Sequence, residues 1–185
     1  MAVMIKKVGV IGSGQMGNGI AHVAALAGFD VVLNDVSAER LKSGMATVNG
    51  NLSRQVAKKI ITEAARKQAL ERIVPAETME GLSDCDLVIE SAVEKEEIKR
   101  KIFHDVCAVL KPSAIVASNT SSISITRLAA STDRPERFIG IHFMNPVPLM
   151  ELVELIRGIA TDDSTFDAAK AVSYTHLTLP TILRV

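Results

Sequence analysis

Residues 7–21 of the chain are KVGVIGSGQMGNGIA. Residues 8–11 form an apolar run typical of a buried strand, and a helix-like apolar run follows the glycines. Gly12, Gly14 and Gly17 each have a separate role. The first glycine permits a tight turn from strand to helix. The second lets the backbone approach a pyrophosphate, and the third lets the helix pack close to its strand. The stretch predicts a dinucleotide-binding turn, with the diphosphate at the helix N-terminus.

An acidic residue completes this pattern. Residues 31–35 are VVLND and predict a second strand that ends at Asp35. This places Asp35 about 20 residues after the glycines, where its carboxylate can accept hydrogen bonds from a ribose hydroxyl pair. Glycines alone would fit an ordinary tight turn equally well. Strand, glycines, helix, second strand and acid together favour a cofactor site, and they favour NAD without excluding NADP.

Length and composition limit the classes of protein to consider. A chain of 185 residues can form one well-buried domain, or one domain and a fragment of another. The formal net charge is zero and aromatic residues are few, so nothing predicts binding to nucleic acid. No uninterrupted apolar run approaches the roughly 20 residues of a membrane span. Polar residues such as Gln15, Asn18 and His22 interrupt the N-terminal apolar stretch, which argues against a secretion signal.

The two cysteines indicate a reducing environment. Cys85 and Cys107 lack the C-x-x-C spacing of a metal or redox site. We expect them to be buried thiols in a reducing cytoplasm, with a disulfide as the alternative. No metal site is expected.

Strand and helix patterns alternate along the chain. Apolar runs predict strands at residues 7–11, 31–35, 86–90, 114–118, 138–142 and 152–156. Helical patterns lie between them at residues 20–27, 41–60, 95–110 and 124–130, and after the last of them at residues 161–170. The long pattern at 41–60 either turns near Gly50 or runs on as a helical arm. The alternation predicts an α/β fold with a doubly wound, mainly parallel, Rossmann-like sheet.

Polar residues follow three of the predicted strands, at 90–94, 118–122 and 142–148. Ligands of such sheets bind beyond the carboxyl ends of the strands, so these segments are expected to converge on one site. His142 is the candidate acid–base residue, because an imidazole can take up and return a proton near neutral pH. Glu154 lies on a returning strand and could hold one ring nitrogen, although spacing alone does not show that it reaches the ring.

Ser121 and Asn145 can donate hydrogen bonds to a substrate oxygen on which charge develops. The alternative for residues 119–122 is an ordinary turn with a helix cap. A nicotinamide cofactor, a histidine base and polar donors together imply oxidation of a secondary alcohol or reduction of its ketone.

Three segments, residues 10–21, 117–122 and 142–154, resemble the signatures of the 3-hydroxyacyl-CoA dehydrogenase family in order and spacing. The resemblance covers about residues 6–170. It implies NAD-dependent hydride transfer at C3 of a short-chain 3-hydroxyacyl-CoA, such as 3-hydroxybutyryl-CoA or acetoacetyl-CoA, in fatty-acid or butanoate metabolism. It also implies an acyl-CoA as the partner molecule.

The resemblance assigns roles to individual residues. It implies that His142 abstracts the hydroxyl proton, that Glu154 orients His142, and that Ser121 and Asn145 bind the substrate or the nicotinamide. The cofactor-binding residues that it implies are Gly12, Ser13, Gly14, Gln15, Met16, Gly17, Asp35, Glu94, Lys99, Ser121 and Asn145. A basic cluster at residues 54–67, which could also be a solvated helix face, becomes a CoA contact, and the substrate-binding residues are Ser121, Asn51, Lys58 and Lys59.

The resemblance ends near residue 170. We expect an NAD-binding domain at residues 1–170 and a tail at 171–185 that departs from the family and looks like a translated adaptor or a frameshift, with a real short strand as the alternative. The resemblance also implies a helical second domain, which supplies most of the homodimer interface in the family, and we expect this domain to be absent here. Weak NAD binding and slow or no turnover are therefore expected.

Two other functions remain open. The chain could be an NAD-binding protein without turnover. It could also be a different hydroxyacid dehydrogenase that shares only the first domain, but such proteins generally use a lysine base, and the segment from His142 to Glu154 argues against this.

Overall fold

A computed structural model of the chain describes residues 4–176 and 181–183. The strands are β1 (Lys7–Ile11), β2 (Asp30–Asn34), β3 (Ile73–Ala76), β4 (Leu87–Glu90), β5 (Ile115–Ser118), β6 (Phe138–Phe143), β7 (Val153–Arg157) and β8 (Thr181–Leu183). The helices are α1 (Gln15–Leu26), α2 (Ala38–Ala57), α3 (Glu63–Arg72), α4 (Glu96–Val109), α5 (Ile125–Ala129) and α6 (Asp163–His176).

The described strands form one sheet in the order β3-β2-β1-β4-β5-β6-β7-β8. All neighbours are parallel except β6 and β7, which are antiparallel. The chain builds outward from β1 to β3, and then returns to place β4 on the other side of β1. This confirms the predicted doubly wound, mainly parallel α/β fold. The strand order reverses between β1 and β4, and such sheets open a ligand crevice at this point.

Two apolar clusters cover the two faces of the sheet. The first joins α1, α2 and α6 to one face, and the second joins α4 and α5 to the other. Within the second cluster, the rings of Phe103 and Phe138 meet edge to face at 4.8 Å between centroids. Cys85 and Cys107 are buried free thiols, as predicted. Burial raises the thiol pKa to about 12 for Cys85 and to about 11 for Cys107.

The structure differs from the sequence prediction at one edge of the sheet. Strand β3 was not predicted, and Pro75 lies within it opposite Leu33. A proline has no N–H to donate, and it is tolerated here because β3 is the edge strand of the sheet.

The long arm does not turn at Gly50. Helix α2 continues through Gly50 to Ala57, and α3 folds back beside it. Both helices pack against α1, and Val48 and Leu52 of α2 are fully buried in this contact.

The chain's last segment lies partly outside the described residues. Helix α6 continues to His176, beyond the predicted domain end at residue 170, and β8 pairs in parallel with β7. Residues 177–180, 184 and 185 of the predicted tail, and residues 1–3 of the predicted domain, are not described. None of the helices in the described part of the chain has the length and apolar character needed to cross a membrane.

A buried histidine on α1 makes the stability of the fold depend on pH. His22 is fully buried, its Nε2 lies 3.1 Å from Gln55 Oε1 of α2, and its Nδ1 has no hydrogen-bond partner within the described residues. Burial lowers the pKa of His22 below its ordinary value of 6.5, against a smaller raising effect of the Gln55 hydrogen bond. The folded state therefore holds this ring neutral.

We predict that the free energy of unfolding falls as the pH drops below about 6.5, because the unfolded chain then binds a proton at His22 that the folded chain does not. Above that pH neither state binds the proton and the contribution is constant. The slope from this residue reaches at most about 1.4 kcal/mol per pH unit. Urea unfolding at pH 5.5, 6.5 and 7.5 should show a shallower slope for His22→Leu than for the unsubstituted chain. Equal slopes would contradict the prediction.

Candidate active site

The turn between β1 and α1, residues 12–17, has the geometry of a dinucleotide-binding turn, and we call it the glycine turn. Gly12 has φ +97°, a conformation that side chains rarely adopt. A Cβ at Gly17 would lie 1.7 Å from the Gly12 carbonyl oxygen, whereas no described atom lies within 4 Å of a Cβ at Gly14. Among the described residues, no side chain caps the N-terminus of α1. Its backbone N–H groups therefore suit an anion.

Asp35 follows β2 and is fixed beside the glycine turn. Its Oδ2 accepts hydrogen bonds from the Ser13 backbone N at 3.0 Å and from Ser13 Oγ at 2.9 Å, and its Oδ1 accepts from the Ser37 N at 3.2 Å. The residue is 8% exposed. These contacts orient the carboxylate and leave it acceptor capacity for further donors.

A cleft of about 800 Å³ runs along the carboxyl ends of the strands. Asp35 lies in its wall together with Val36, and His142 and Ser121 also line it. The predicted site residues in the lining are Gly12, Gly14, Gln15, Met16, Asp35, Glu94, Lys99, Ser121, His142 and Asn145. The fold thus brings residues from 12 to 145 in the sequence into one elongated site.

His142 and Glu154 lie opposite each other on the antiparallel pair β6 and β7. His142 Nδ1 is 2.8 Å from Glu154 Oε2, and both side chains are about one-fifth exposed, at 20% and 23%. A carboxylate at Nδ1 favours the tautomer with the proton on Nδ1, which leaves the Nε2 lone pair free to accept a proton. The structure therefore supplies the contact that the spacing alone left open.

Asn145 lies on the loop after β6 and contacts the glycine turn. Gln15 Nε2 donates to Asn145 Oδ1 at 3.1 Å. Because its oxygen accepts this bond, the Asn145 amide group has its N–H donors oriented away from Gln15. A second amide, Asn119, stabilises the same region by accepting a hydrogen bond from the Phe143 backbone N at 2.8 Å.

A buried charge cluster lies under the cleft, and sequence reasoning did not predict it. Lys99 Nζ lies 2.7 and 2.8 Å from the two carboxylate oxygens of Glu90, and 3.3 Å from Glu94 Oε2. Lys99 is 1% exposed and Glu90 is fully buried. Ser118 Oγ and the Ala92 backbone N also donate to Glu90, each at 2.7 Å, so the buried carboxylate is well satisfied. The sequence signal that could have revealed this cluster is Glu90, an acidic residue at the end of an otherwise apolar strand.

Comparison with known proteins identifies the family. Residues 7–178 match the model of the 3-hydroxyacyl-CoA dehydrogenase NAD-binding domain. The chain belongs to the 3-hydroxyacyl-CoA dehydrogenase family. The match covers the glycine turn, the cleft and the His142–Glu154 pair. The site described above therefore lies in the NAD-binding domain of this family.

Individual family members are closely similar. The chain is 82% identical over 170 residues to a 3-hydroxybutyryl-CoA dehydrogenase of Bradyrhizobium diazoefficiens, which covers 92% of this chain and 58% of that protein. It is 50% identical over 159 residues to a probable 3-hydroxybutyryl-CoA dehydrogenase of Deinococcus radiodurans, which covers 86% of this chain and 57% of that protein. The chain therefore spans less than two-thirds of the length of these relatives.

A solved structure shows the same fold. The crystal structure of (S)-3-hydroxybutyryl-CoA dehydrogenase from Ralstonia eutropha superposes with a TM-score of 0.95 at 45% sequence identity. The superposition covers 98% of this chain and 64% of the other.

The residues present fit the family's dinucleotide. The α1 N-terminus is free of a capping side chain in the described part of the chain, and space is open above Gly14 for a diphosphate. Asp35 offers a fixed carboxylate in the same cleft. These features fit NAD, the cofactor of the family's NAD-binding domain.

The predicted CoA-binding residues of the 3-hydroxyacyl-CoA dehydrogenase arm are not brought together. Asn51 lines a second cleft of about 630 Å³ between α1, α2 and the loop at residues 145–148. Lys58 and Lys59 follow at the exposed end of α2 and line neither of the two clefts. Their assignment to the substrate stays a prediction.

Proposed function

We propose that the chain transfers a hydride between NAD and the C3 hydroxyl or ketone of a short-chain 3-hydroxyacyl-CoA, with 3-hydroxybutyryl-CoA and acetoacetyl-CoA as the substrate pair. The observation that carries the proposal is the 2.8 Å contact of Glu154 with His142, which lines the same cleft as the glycine turn. Identity of 82% to a 3-hydroxybutyryl-CoA dehydrogenase supports this choice of substrate. The reaction would serve fatty-acid or butanoate metabolism in the cytoplasm.

In the oxidative direction, His142 takes the proton of the C3 hydroxyl at Nε2. NAD, when bound in the cleft, would supply the hydride acceptor for C3, so that the C3 alcohol becomes a ketone. Glu154 holds Nδ1 and stabilises the imidazolium that forms on proton transfer. A positioned base of this kind contributes about 10²–10⁴-fold to the rate. In the reverse direction His142 returns the proton to the oxygen.

Ser121 and Asn145 act on the oxygen in this proposal. Both line the cleft with His142 and carry donors that can bind the C3 oxygen as charge builds on it. Fixing these donors before the reaction avoids the cost of reorienting them during proton and hydride transfer. Ser13, Gln15, Met16, Glu94 and Lys99 are proposed to contact the cofactor, and Asn51, Lys58 and Lys59 to contact CoA. Assembly of the full-length relatives as homodimers is part of the same proposal.

The direct test is oxidation of NADH by the purified chain in the presence of acetoacetyl-CoA. Free acetoacetate is the matched control, because it offers the same ketone without CoA. Slow oxidation that depends on acetoacetyl-CoA is the expected result. Binding of NADH without oxidation would contradict the dehydrogenase proposal for this chain and favour an NAD-binding protein without turnover. No binding would contradict the cofactor assignment as well.

Asp35 is expected to determine the choice between the two nicotinamide cofactors. We predict that Asp35→Asn weakens NADH binding by about tenfold, since a charged acceptor for the ribose hydroxyls is lost. NADPH binding should improve, because the carboxylate no longer repels the 2′-phosphate. Fluorescence titration with both cofactors measures the two affinities. Asp30→Asn, at the exposed start of β2, is the control. Unchanged selectivity in Asp35→Asn would contradict the assignment.

A further inference from the structure

The loop after β5, residues 119–122, is held by a single carboxylate oxygen. Glu94 Oε1 accepts a hydrogen bond from Thr120 Oγ1, one from the Ser121 backbone N at 3.2 Å and one from Ser122 Oγ at 3.0 Å. Three consecutive residues of the loop therefore donate to one atom. Ser121, in the middle of the three, lines the cleft beside His142.

The same oxygen also governs the next part of the loop indirectly. Thr120 Oγ1 donates to Glu94 and in turn accepts from the Ser122 N at 3.4 Å and from the Ile123 N at 3.1 Å. The backbone amides of residues 121, 122 and 123 thus end either on Glu94 or on the hydroxyl that Glu94 orients. Removing the carboxylate would release this whole set of bonds.

Glu94 is itself anchored from below. Its other oxygen, Oε2, lies 3.3 Å from Lys99 Nζ, which the buried Glu90 holds in place. Burial alone would raise the pKa of Glu94, but the hydrogen bond from Thr120 and the charge of Lys99 outweigh burial and lower the pKa. Glu94 is therefore ionised at neutral pH and acts only as an acceptor.

We propose that Glu94 is a positioning residue, which acts through its contacts with residues 120–122 to hold Ser121 in the cleft before any ligand binds. This role differs from direct contact with the cofactor, because it operates in the free protein. The inference rests on the proposed function only for the task of Ser121. The hydrogen bonds from residues 120–122 to Glu94 are contacts within the chain and do not depend on that function.

Hydrogen–deuterium exchange of the free chain, without cofactor or substrate, tests the proposal. In Glu94→Ala the amides of residues 121–123 should exchange at least about tenfold faster, as expected when hydrogen bonds to a charged acceptor are lost. Glu94→Gln keeps one acceptor oxygen and should restore part of the protection. Glu97→Ala removes an exposed carboxylate from the same segment and should leave the loop unchanged. Amides of β4 serve as the internal reference for general unfolding.

A second variant guards against a general loss of structure. Ser122→Ala removes only one of the three donors and should raise exchange at residues 121–123 by a smaller factor than Glu94→Ala does. Unchanged exchange of the loop in Glu94→Ala would overturn the proposal, and so would equal acceleration in Glu97→Ala. Since no ligand is present, these outcomes do not depend on whether the chain oxidises NADH. In steady-state kinetics, Glu94→Ala should lower kcat by a larger factor than it raises KM. Glu94→Gln should restore part of the lost kcat.

Discussion

Replacing His142 by alanine is expected to lower the rate of acetoacetyl-CoA-dependent NADH oxidation by about 10²–10⁴-fold. The side chain is the only described histidine in the wall of the main cleft, and Glu154 fixes its tautomer from the side opposite the free Nε2. Without the imidazole, the proton that the C3 oxygen takes up as the ketone is reduced must come from water. Binding of NADH should change little, because the proposed diphosphate and ribose contacts lie at the glycine turn and Asp35.

Two variants make this prediction specific. His104→Ala removes an exposed histidine on α4 and should leave the rate unchanged. Glu154→Gln keeps the shape of the partner but removes its charge, so it should cost less than His142→Ala. Steady-state rates, with NADH affinity measured in parallel, separate catalysis from binding. A His142→Ala variant that retains full activity would show that the reaction uses a different base.

The His142–Glu154 contact shows where sequence reasoning stopped. From the residues alone each was predicted separately, one at a strand end and one on a returning strand, and only the resemblance to the family paired them. Their pairing depends on the register of β6 against β7, in which Gly140 faces Ile156 and His142 faces Glu154. A shift of one residue would have turned Glu154 to the opposite face of the sheet. The loop of residues 144–152 sets that register, and its conformation cannot be derived from its sequence alone.

The glycine turn was predictable for the opposite reason. Its chemistry is local: backbone conformation at Gly12 and close packing at Gly17 constrain the residue type directly. The Lys99–Glu90 pair was not predictable, because a lysine in a charged helix is normally solvated and its burial depends on tertiary packing. Lys58 and Lys59 were assigned by resemblance alone, and their positions depend on where α2 ends.

Substitutions in the glycine turn are expected to have the second large effect. One substitution should change stability and another should change cofactor binding. Gly14 and Gly17 are three residues apart, yet their surroundings differ. An alanine Cβ at position 17 would overlap the Gly12 carbonyl oxygen at 1.7 Å, whereas at position 14 it would meet no described atom within 4 Å. Gly14 has φ −63° and ψ −171°, which alanine adopts without strain. One substitution therefore opposes folding and the other opposes only a ligand above the turn.

Gly17→Ala is expected to lower the Tm by about 5–10 °C, because overpacking costs typically 1–3 kcal/mol and displaces the start of α1. Gly14→Ala should leave the Tm unchanged or slightly higher, since alanine reduces the entropy of the unfolded chain. The same variant should weaken NADH binding by about tenfold or more, because the methyl group occupies the path of the diphosphate to the helix N-terminus. Thermal denaturation and NADH titration measure the two effects independently. Full NADH affinity in Gly14→Ala would mean that the diphosphate does not lie on this turn, and the assignment of the cleft to NAD would fail with it.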